Sequence, residues 1–334
     1  MDLSVVAPAY DESGALPAFI PRVAAVLDQL DVSSELVLVD DGSTDETWAI
    51  IESAADADPR IRGVRLARNF GHQLALTAGL ATADGDAVIT MDADLQHPPE
   101  VIPDLLATAA RGYDVVYAVR SIDDAAGPFK RLSAKLFYFL LNRLTRLDLP
   151  EGAADFRYMS RRVVNALLSM PERHRFLRGM TRWVGFQQTF VPYSRCDREA
   201  GSSKYGLAKM LMLAWDAVTS FSAIPLRLAG VLGFVVSSFG FLYLAYAIGI
   251  HLFTHSTVSG WTSVTAAVLI LGGVQLICLG IFGQYIGRMY DDVKGRPLFL
   301  IAEDTADPRL VPESKTNQAS VASDLRSAQR LLRA

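Results

Sequence analysis

The stretch 87–99 reads AVITMDADLQHPP, a short apolar run that ends in two aspartates, Asp92 and Asp94, on either side of one alanine. Such a run, bounded by polar residues, is typical of a buried strand. Carboxylate oxygens at the end of a strand suit a divalent cation such as Mg²⁺ or Mn²⁺, which is usually shared with substrate phosphates. Taken alone, the same pattern also fits a solvated loop.

Four further β-rich runs surround this one and alternate with amphipathic helical patterns over residues 16–30 and 47–57. The predicted strands cover residues 3–8, 35–40, 61–67, 87–91 and 114–119. This alternation predicts parallel βαβ units in an α/β fold, which binds its ligands at the carboxyl ends of the strands.

Three of these strand ends carry polar clusters, which are Tyr10-Asp11-Glu12, Asp40-Asp41 and Asp92-Ala93-Asp94. We therefore predict one site built from three strand ends. The run from Asp40 to Asp45 on its own also fits a turn followed by a helix N-cap.

The charges are unevenly distributed along the chain. Residues 1–100 contain 18 Asp and Glu against 5 Arg and no Lys, whereas residues 129–182 contain 12 Lys and Arg against 4 Asp and Glu. The first region favours a metal ion or another cation, and the second favours phosphates or acidic lipid headgroups. Nucleic-acid binding is not predicted, because the basic residues lie beside apolar, membrane-facing patterns.

No Asp, Glu, Lys or Arg lies between Arg227 and Arg288, a run of 60 residues in a chain of 334. A membrane-spanning helix needs about 20 apolar residues, so the run predicts two transmembrane helices over 228–252 and 264–287. A buried helical hairpin in a large soluble core is the alternative. Lys and Arg flank the run but are absent from its central loop, which predicts a multi-pass plasma-membrane protein with both termini in the cytoplasm.

Two amphipathic stretches, 129–146 and 204–221, are predicted to lie at the membrane interface. The alternative is that their apolar faces pack on the soluble core. The predicted organisation is a cytoplasmic α/β domain over residues 1–225, two transmembrane helices within 226–288 and a cytoplasmic tail over 289–334.

Further motifs establish a resemblance to a known family. Pro8-Ala9-Tyr10-Asp11-Glu12, Asp40 to Asp45, Arg68 to Gly71 and Asp92 to Pro99 resemble the inverting GT-A glycosyltransferases of family two. Within that family, three more motifs resemble the polyprenyl-phosphate glycosyltransferases, such as dolichyl-phosphate mannose synthase and the bacterial undecaprenyl-phosphate sugar transferases. They are Asp155-Phe156-Arg157, Phe176-Leu177-Arg178-Gly179 and Arg198 to Tyr205. The resemblance covers residues 2–300 and departs at Asp11, where the family usually has asparagine.

The resemblance implies a GT-A, Rossmann-like catalytic domain followed by interfacial helices and two transmembrane helices. It implies inverting transfer of a sugar from a nucleotide sugar to a polyprenyl phosphate at the cytoplasmic membrane face. UDP-glucose is the first expectation for the donor and GDP-mannose the second, and association into homo-oligomers is left open. A processive membrane glycan synthase is one alternative, although Gly179 stands where that class has the glutamine of its Gln-x-x-Arg-Trp motif. A non-catalytic glycosyltransferase-like membrane subunit is the other.

The resemblance also assigns roles to individual residues. The nucleotide sugar would be bound by Pro8, Tyr10, Glu12, Asp40, Asp41 and Asp92. The divalent ion would be held by Asp92, Asp94 and Gln96. The acceptor phosphate and the donor diphosphate would be held by Lys130, Arg131, Ser133, Arg198, Ser203 and Lys204. The catalytic residues would be Asp94, Arg120 and Asp155, with Asp155 acting either as a base or as a group that orients Arg157 or another basic residue.

Overall fold

The fold is known from a computed structural model, which describes residues 1–120, 142–145, 153–193, 218–219, 222–254 and 260–307. These residues form two compact units. The first contains 1–120, 153–193 and 296–307. The second contains 142–145, 218–219, 222–254 and 260–295.

The first unit is built on a mixed sheet of eight strands in the order β7-β5-β6-β4-β1-β2-β3-β8. The strands are Leu3–Ala9 (β1), Ser34–Asp40 (β2), Ile61–Leu66 (β3), Ala87–Thr90 (β4), Val115–Arg120 (β5), Ala153–Ser160 (β6), Gln188–Tyr193 (β7) and Ile301–Asp304 (β8). Strands β6 and β8 run antiparallel to their neighbours, and the remaining pairs are parallel. The five predicted strands are confirmed, each end to within one residue.

Helices cover both faces of this sheet, which explains why every residue of β1 and β2 is buried. The helices are Leu16–Leu27 (α1), Thr47–Ala57 (α2), His72–Thr82 (α3), Ile102–Ala109 (α4), Arg161–Ser169 (α5) and Leu177–Trp183 (α6). A short 3₁₀ helix, Pro99–Val101, precedes α4. The helix predicted over 47–57 is confirmed, whereas the one predicted over 16–30 ends at Leu27.

Strands β6 and β8 were not predicted from the sequence. The predicted parallel βαβ units are confirmed by the pairs β1–β2, β1–β4 and β2–β3, whereas β6 inserts antiparallel between β4 and β5. The description of residues 289–334 as a tail separate from the α/β domain is wrong over Ile301–Asp304, which pairs antiparallel with β3. An ion pair of 2.8 Å between Arg62 and Asp304 helps to hold this edge strand.

The second unit contains two long helices, Ile224–Thr254 (α7) and Trp261–Val293 (α8), which enclose the two predicted transmembrane segments. Both are long and apolar enough to cross a membrane, judged by length and composition. The Tyr285 hydroxyl donates to the Ser222 carbonyl over 2.7 Å. Large apolar side chains such as Phe234 and Leu276 are more than two-thirds exposed, which does not fit the alternative of a buried hairpin in a soluble core.

The predicted interfacial stretches lie outside the described residues except for 142–145 and 218–219, which are helical. Most of the connecting loop between α7 and α8 and the chain after residue 307 also lie outside them.

Candidate functional site

The three polar clusters come together at one edge of the sheet. Strand β1 lies between β2 and β4, and all three run parallel, so their carboxyl ends are neighbours. Pro8 is buried within β1, Tyr10 is exposed just beyond it, and Glu12 is half-buried. The three clusters predicted to form one site therefore lie at neighbouring strand ends, and their role in ligand binding stays a prediction.

Hydrogen bonds join the loop after β1 to the loop after β2. The Asp11 N–H donates to Ser43 Oγ over 3.0 Å, and the Thr44 N–H donates to Asp11 Oδ1 over 2.9 Å. The Glu12 N–H donates to Thr47 Oγ1 over 2.9 Å. Asp11 has a positive φ of 52°, a conformation that Asp and Asn adopt more readily than other side chains. Its carboxylate acts as an acceptor here, a role that the carbonyl of the usual asparagine can also fill.

Asp40, the last residue of β2, is completely buried. Its Oδ1 accepts the Ser43 N–H over 2.9 Å. Its Oδ2 lies 3.3 Å from Arg65 Nε, but the geometry is not that of a hydrogen bond, and this oxygen has no hydrogen-bond partner among the described residues. Burial raises the pKa of Asp40 despite the hydrogen bonds from Ser43 and the nearby charge of Arg65.

Both oxygens of the Asp41 carboxylate accept hydrogen bonds from the backbone of a nearby turn. Its two carboxylate oxygens accept the N–H groups of Phe70 and Gly71 over 2.8 and 2.9 Å, which fixes the turn that leads into α3. Burial raises the pKa of Asp41 although both bonds favour its charged form. Gly42 has a φ of +69°, and a Cβ there would lie 2.4 Å from the Arg68 carbonyl carbon. The pair therefore divides into Asp40, which has one buried oxygen without a hydrogen-bond partner among the described residues, and Asp41, which holds the loop.

Asp92 carries the feature that best fits a metal ion. Its Oδ1 is buried and has no hydrogen-bond partner within the described chain, since the nearest donor, His72 Nε2, is 3.5 Å away. Its backbone N–H donates to Nδ1 of the buried His97 over 3.1 Å, and the His97 ring stacks on Phe156 with 5.3 Å between centroids. A hard anionic oxygen held in place by a fixed backbone suits a divalent cation.

Asp94 and Gln96 are hydrogen-bonded to each other. The Gln96 N–H donates to Asp94 Oδ1 over 3.1 Å, and the Gln96 side-chain amide also donates to Asp94 Oδ2. Leu95 between them has a positive φ of 62°, an uncommon conformation for a branched side chain. Because Gln96 turns its nitrogen toward Asp94, joint metal binding requires the amide to rotate.

No three His, Cys, Asp or Glu side chains within the described ranges are grouped closely enough to hold a metal ion by themselves. This arrangement agrees with the habit of Mg²⁺ and Mn²⁺, which bind through one or two carboxylates and complete their shell with water and substrate phosphates. Asp92 and Asp94 therefore fit a cation that arrives with a phosphorylated substrate.

Asp155 is buried at the centre of a charged cluster on β6. Arg157 contacts Asp155 Oδ1, and Arg178 reaches both carboxylate oxygens over 2.9 and 3.2 Å. His72 Nε2 lies 3.5 Å from Asp155 Oδ2, the same distance that separates it from Asp92. Burial alone raises the pKa of Asp155, but the charge of Arg178, a hydrogen bond from His72 and the charge of Arg157 together hold it well below its usual range.

His72 and Arg178 connect this buried carboxylate to the surface, because their side chains are 45% and 34% exposed. Burial lowers the pKa of His72, yet the hydrogen bond to Asp155 and the charges of Asp92 and Asp155 outweigh it and raise that pKa. The site thus presents the His72 imidazole beside the carboxylate of Asp92 and the Arg178 guanidinium on Asp155, an arrangement able to bind a metal ion and phosphate oxygens side by side.

Several predicted residues cannot be located in this site. Arg120 is the last residue of β5, and only its backbone is described. Six predicted phosphate-binding residues lie outside the described residues: Lys130, Arg131, Ser133, Arg198, Ser203 and Lys204. Sequence reasoning assigned no role to His72, His97 or Arg178. His72 directly follows the Arg68–Gly71 motif, and Arg178 lies within Phe176–Gly179, so their positions beside quoted motifs were the available signal.

Residues 4–168 match the family described as "Glycosyl transferase family 2", and the chain belongs to this family. The predicted GT-A fold and family resemblance are thereby confirmed.

Relatives match over nearly the whole chain. "Uncharacterized glycosyltransferase YkcC" of Bacillus subtilis (strain 168) is 43% identical over 298 residues, 89% of this chain and 92% of the relative. "SfII prophage-derived bactoprenol glucosyl transferase" of Shigella flexneri is 42% identical over 301 residues, 90% of this chain and 97% of the relative.

One similar solved structure is glucosyl-3-phosphoglycerate synthase from Mycobacterium tuberculosis in complex with Mn²⁺, uridine-diphosphate and phosphoglyceric acid. It has a TM-score of 0.48 and 21% identity, and the alignment covers 65% of this chain and 76% of that one.

Proposed function

We propose that this protein transfers glucose from UDP-glucose to a polyprenyl phosphate, with inversion at the sugar C1 atom and with the help of Mg²⁺ or Mn²⁺. The observation that carries the proposal is that a carboxylate suited to a metal ion lies close to side chains suited to phosphate oxygens. Asp92, one oxygen of which has no hydrogen-bond partner among the described residues, lies 3.5 Å from His72, and both His72 and Arg178 contact Asp155. The near full-length similarity to a bactoprenol glucosyl transferase supports the choice of sugar and acceptor.

The donor side uses the ends of β1, β2 and β4. The open oxygen of Asp40 accepts a hydrogen bond from the nucleoside, with Pro8, Tyr10 and Glu12 around it, and Asp41 keeps the surrounding loop in place. Asp92 and Asp94 hold the divalent ion, with Gln96 as a further ligand after its amide rotates. When bound there, the ion neutralises the diphosphate of the donor as a Lewis acid.

The acceptor supplies its own nucleophile. A phosphate monoester has a second pKa of about 6 and is largely dianionic at pH 7. One of its oxygens attacks the sugar C1 atom as the bond from C1 to the diphosphate oxygen breaks, so nucleoside diphosphate leaves and no proton has to be removed. The reaction therefore requires cationic groups that bring two anions together rather than a strong base.

Asp155 fits the positioning role better than the role of a base. A carboxylate with a lowered pKa and two arginine partners is a weak proton acceptor. We assign it the task of orienting Arg178 and His72 toward phosphate oxygens. Further phosphate contacts are proposed for Arg120, Lys130, Arg131, Ser133, Arg198, Ser203 and Lys204.

The two apolar helices support a reaction at a membrane. Their exposed apolar side chains suit lipid rather than water. Basic residues flank the apolar run on both sides, which supports a cytoplasmic catalytic domain in an integral plasma-membrane protein. They are Lys204, Lys209, Arg227, Arg288, Lys294 and Arg296.

The test is a donor screen with the full-length protein in detergent, undecaprenyl phosphate, Mg²⁺ and labelled nucleotide sugars. We expect one glucose per lipid, transferred from UDP-glucose, in a product that mild acid cleaves because the sugar is linked through phosphate. Transfer of mannose from GDP-mannose instead would show that the assignment of UDP-glucose as the donor is wrong. A growing, acid-resistant polymer would identify a processive synthase, and nucleotide binding without transfer to any lipid phosphate would identify a non-catalytic subunit.

A further inference from the structure

Three charged residues form a row across the last three strands at the donor side of the sheet. Asp40 on β2 is in register with Arg65 on β3, and Arg65 is in register with Glu303 on β8. Directly opposed residues on neighbouring strands share a face of the sheet and lie within reach of each other. The strand that follows α8 in the chain therefore contributes a carboxylate to the row that ends in the donor site.

The contacts within this row are unequal. Arg65 Nη1 donates to Glu303 Oε1 over 2.9 Å, whereas Arg65 Nε lies 3.3 Å from Asp40 Oδ2 without hydrogen-bond geometry. The guanidinium also lies 5.8 Å from the centre of the Trp48 ring. Arg65 is hydrogen-bonded to Glu303 and not to Asp40. Asp40 Oδ2 can therefore still accept a hydrogen bond, although a cation lies beside it.

Several contacts besides the side chain of Glu303 attach β8 to β3. Asp304 pairs with Arg62 over 2.8 Å, and the Gly63 N–H donates to Thr305 Oγ1 over 2.9 Å. Backbone hydrogen bonds connect Ala67 to Leu300 and Thr305 to Gly63. The neighbouring residue Asp304 thus offers a matched control, because it is also acidic and also on β8, but its arginine partner is Arg62 and not Arg65, the arginine that lies beside Asp40.

We infer that Glu303 is a positioning residue of the donor site: it holds the Arg65 guanidinium so that Asp40 Oδ2 stays available to the nucleoside of the nucleotide sugar. This inference deepens the proposed function and rests on it. Without Glu303, the guanidinium of Arg65 is free to form a bidentate ion pair with the carboxylate of Asp40. That pair occupies the oxygen that the donor needs, while the acceptor side of the site is unchanged.

The experiment measures UDP binding by titration calorimetry with the full-length protein in detergent and excess Mg²⁺. Glu303→Gln is compared with wild type and with Asp304→Asn. Loss of one charge-assisted contact corresponds to an increase of about 5- to 20-fold in the Kd for UDP, and we expect this for Glu303→Gln but less than about a twofold change for Asp304→Asn. Glu303→Asp should recover part of the affinity.

Steady-state rates separate positioning from a general structural effect. Glu303→Gln should raise the KM for the nucleotide sugar and leave the KM for the lipid phosphate and kcat near wild type. Arg65→Gln combined with Glu303→Gln should bind UDP more tightly than Glu303→Gln alone, because no guanidinium then remains to pair with Asp40.

Unchanged UDP binding in Glu303→Gln would overturn the inference while leaving the proposed function intact. Equal losses in Glu303→Gln and Asp304→Asn would also overturn it, since they would show that only the attachment of β8 matters. A wild-type protein that binds neither UDP nor GDP would instead contradict the proposed function, and the inference would fall with it.

Discussion

Replacing Asp155 by asparagine separates the two roles that its position allows. The substitution leaves the shape of the side chain nearly unchanged but removes the charge that faces Arg157, which is 1% exposed, and Arg178. Breaking a buried ion pair costs about 3–5 kcal/mol because it leaves an uncompensated charge in the interior. The asparagine carbonyl still accepts a hydrogen bond, so we expect a loss near the lower end, about 3 kcal/mol.

Thermal unfolding and activity are then measured on the same preparation. A loss of about 3 kcal/mol lowers the unfolding midpoint of a domain of this size by about 6–12 °C. The lowered pKa of Asp155 means that its contribution is present above its unfolded value, about 3.9, and is lost as the pH falls through its lower folded value. The difference in stability between wild type and variant should therefore be constant near neutral pH and shrink only below about pH 4.

Arg178→Gln provides the comparison that decides the mechanism. Arg178 is a third exposed, and its loss leaves Asp155 paired with Arg157, so Arg178→Gln should destabilise the protein less than Asp155→Asn does. If Asp155 acts by orienting Arg178, both variants lose activity to a similar degree, about 100-fold, although Asp155→Asn is the less stable of the two. An Arg178→Gln variant with near wild-type kcat beside an inactive Asp155→Asn would refute the positioning role and favour a base.

Three further predictions follow from the site, the loop and the membrane helices. Asp94→Asn should abolish divalent-dependent transfer without lowering the unfolding midpoint, and full turnover of this variant, or of wild type in excess chelator, would contradict the metal assignment. Gly42→Ala should destabilise the protein by at least about 2 kcal/mol, because its φ is +69° and the new Cβ would lie 2.4 Å from backbone; an unchanged midpoint would show that the loop adapts. A cysteine in place of Ser259, in a background lacking Cys196 and Cys278, should react with an impermeant thiol reagent added to intact cells. Labelling only after lysis would reverse the proposed topology.

The strands could be predicted from sequence where the pattern is local and apolar. Strands β1 to β5 stand out because consecutive apolar residues end at polar clusters. Strand β6 includes Asp155 and Arg157, and β8 is only four residues long with two acids, so neither shows an apolar period. Their place in the sheet depends on pairing with strands far away in the chain.

The site was predictable as a location but not as a set of contacts. The rule that ligands bind at strand ends brought Asp40, Asp41 and Asp92 together. It did not distinguish Asp40 from Asp41, because that difference arises from the Phe70 and Gly71 N–H groups. The pairing of Arg65 with Glu303 joins residues 238 positions apart, a separation at which local sequence patterns carry no information.

Strand β8 has a consequence for the solubility of the catalytic unit. Without it, β3 would present a row of unpaired N–H and C=O groups at the end of the sheet, a template for association with another chain. Strand β8 covers that row and is itself only four residues long. Very short edge strands limit strand-to-strand association between molecules. A version of this protein cut before Ile301 would lose that protection and expose an aggregation-prone edge.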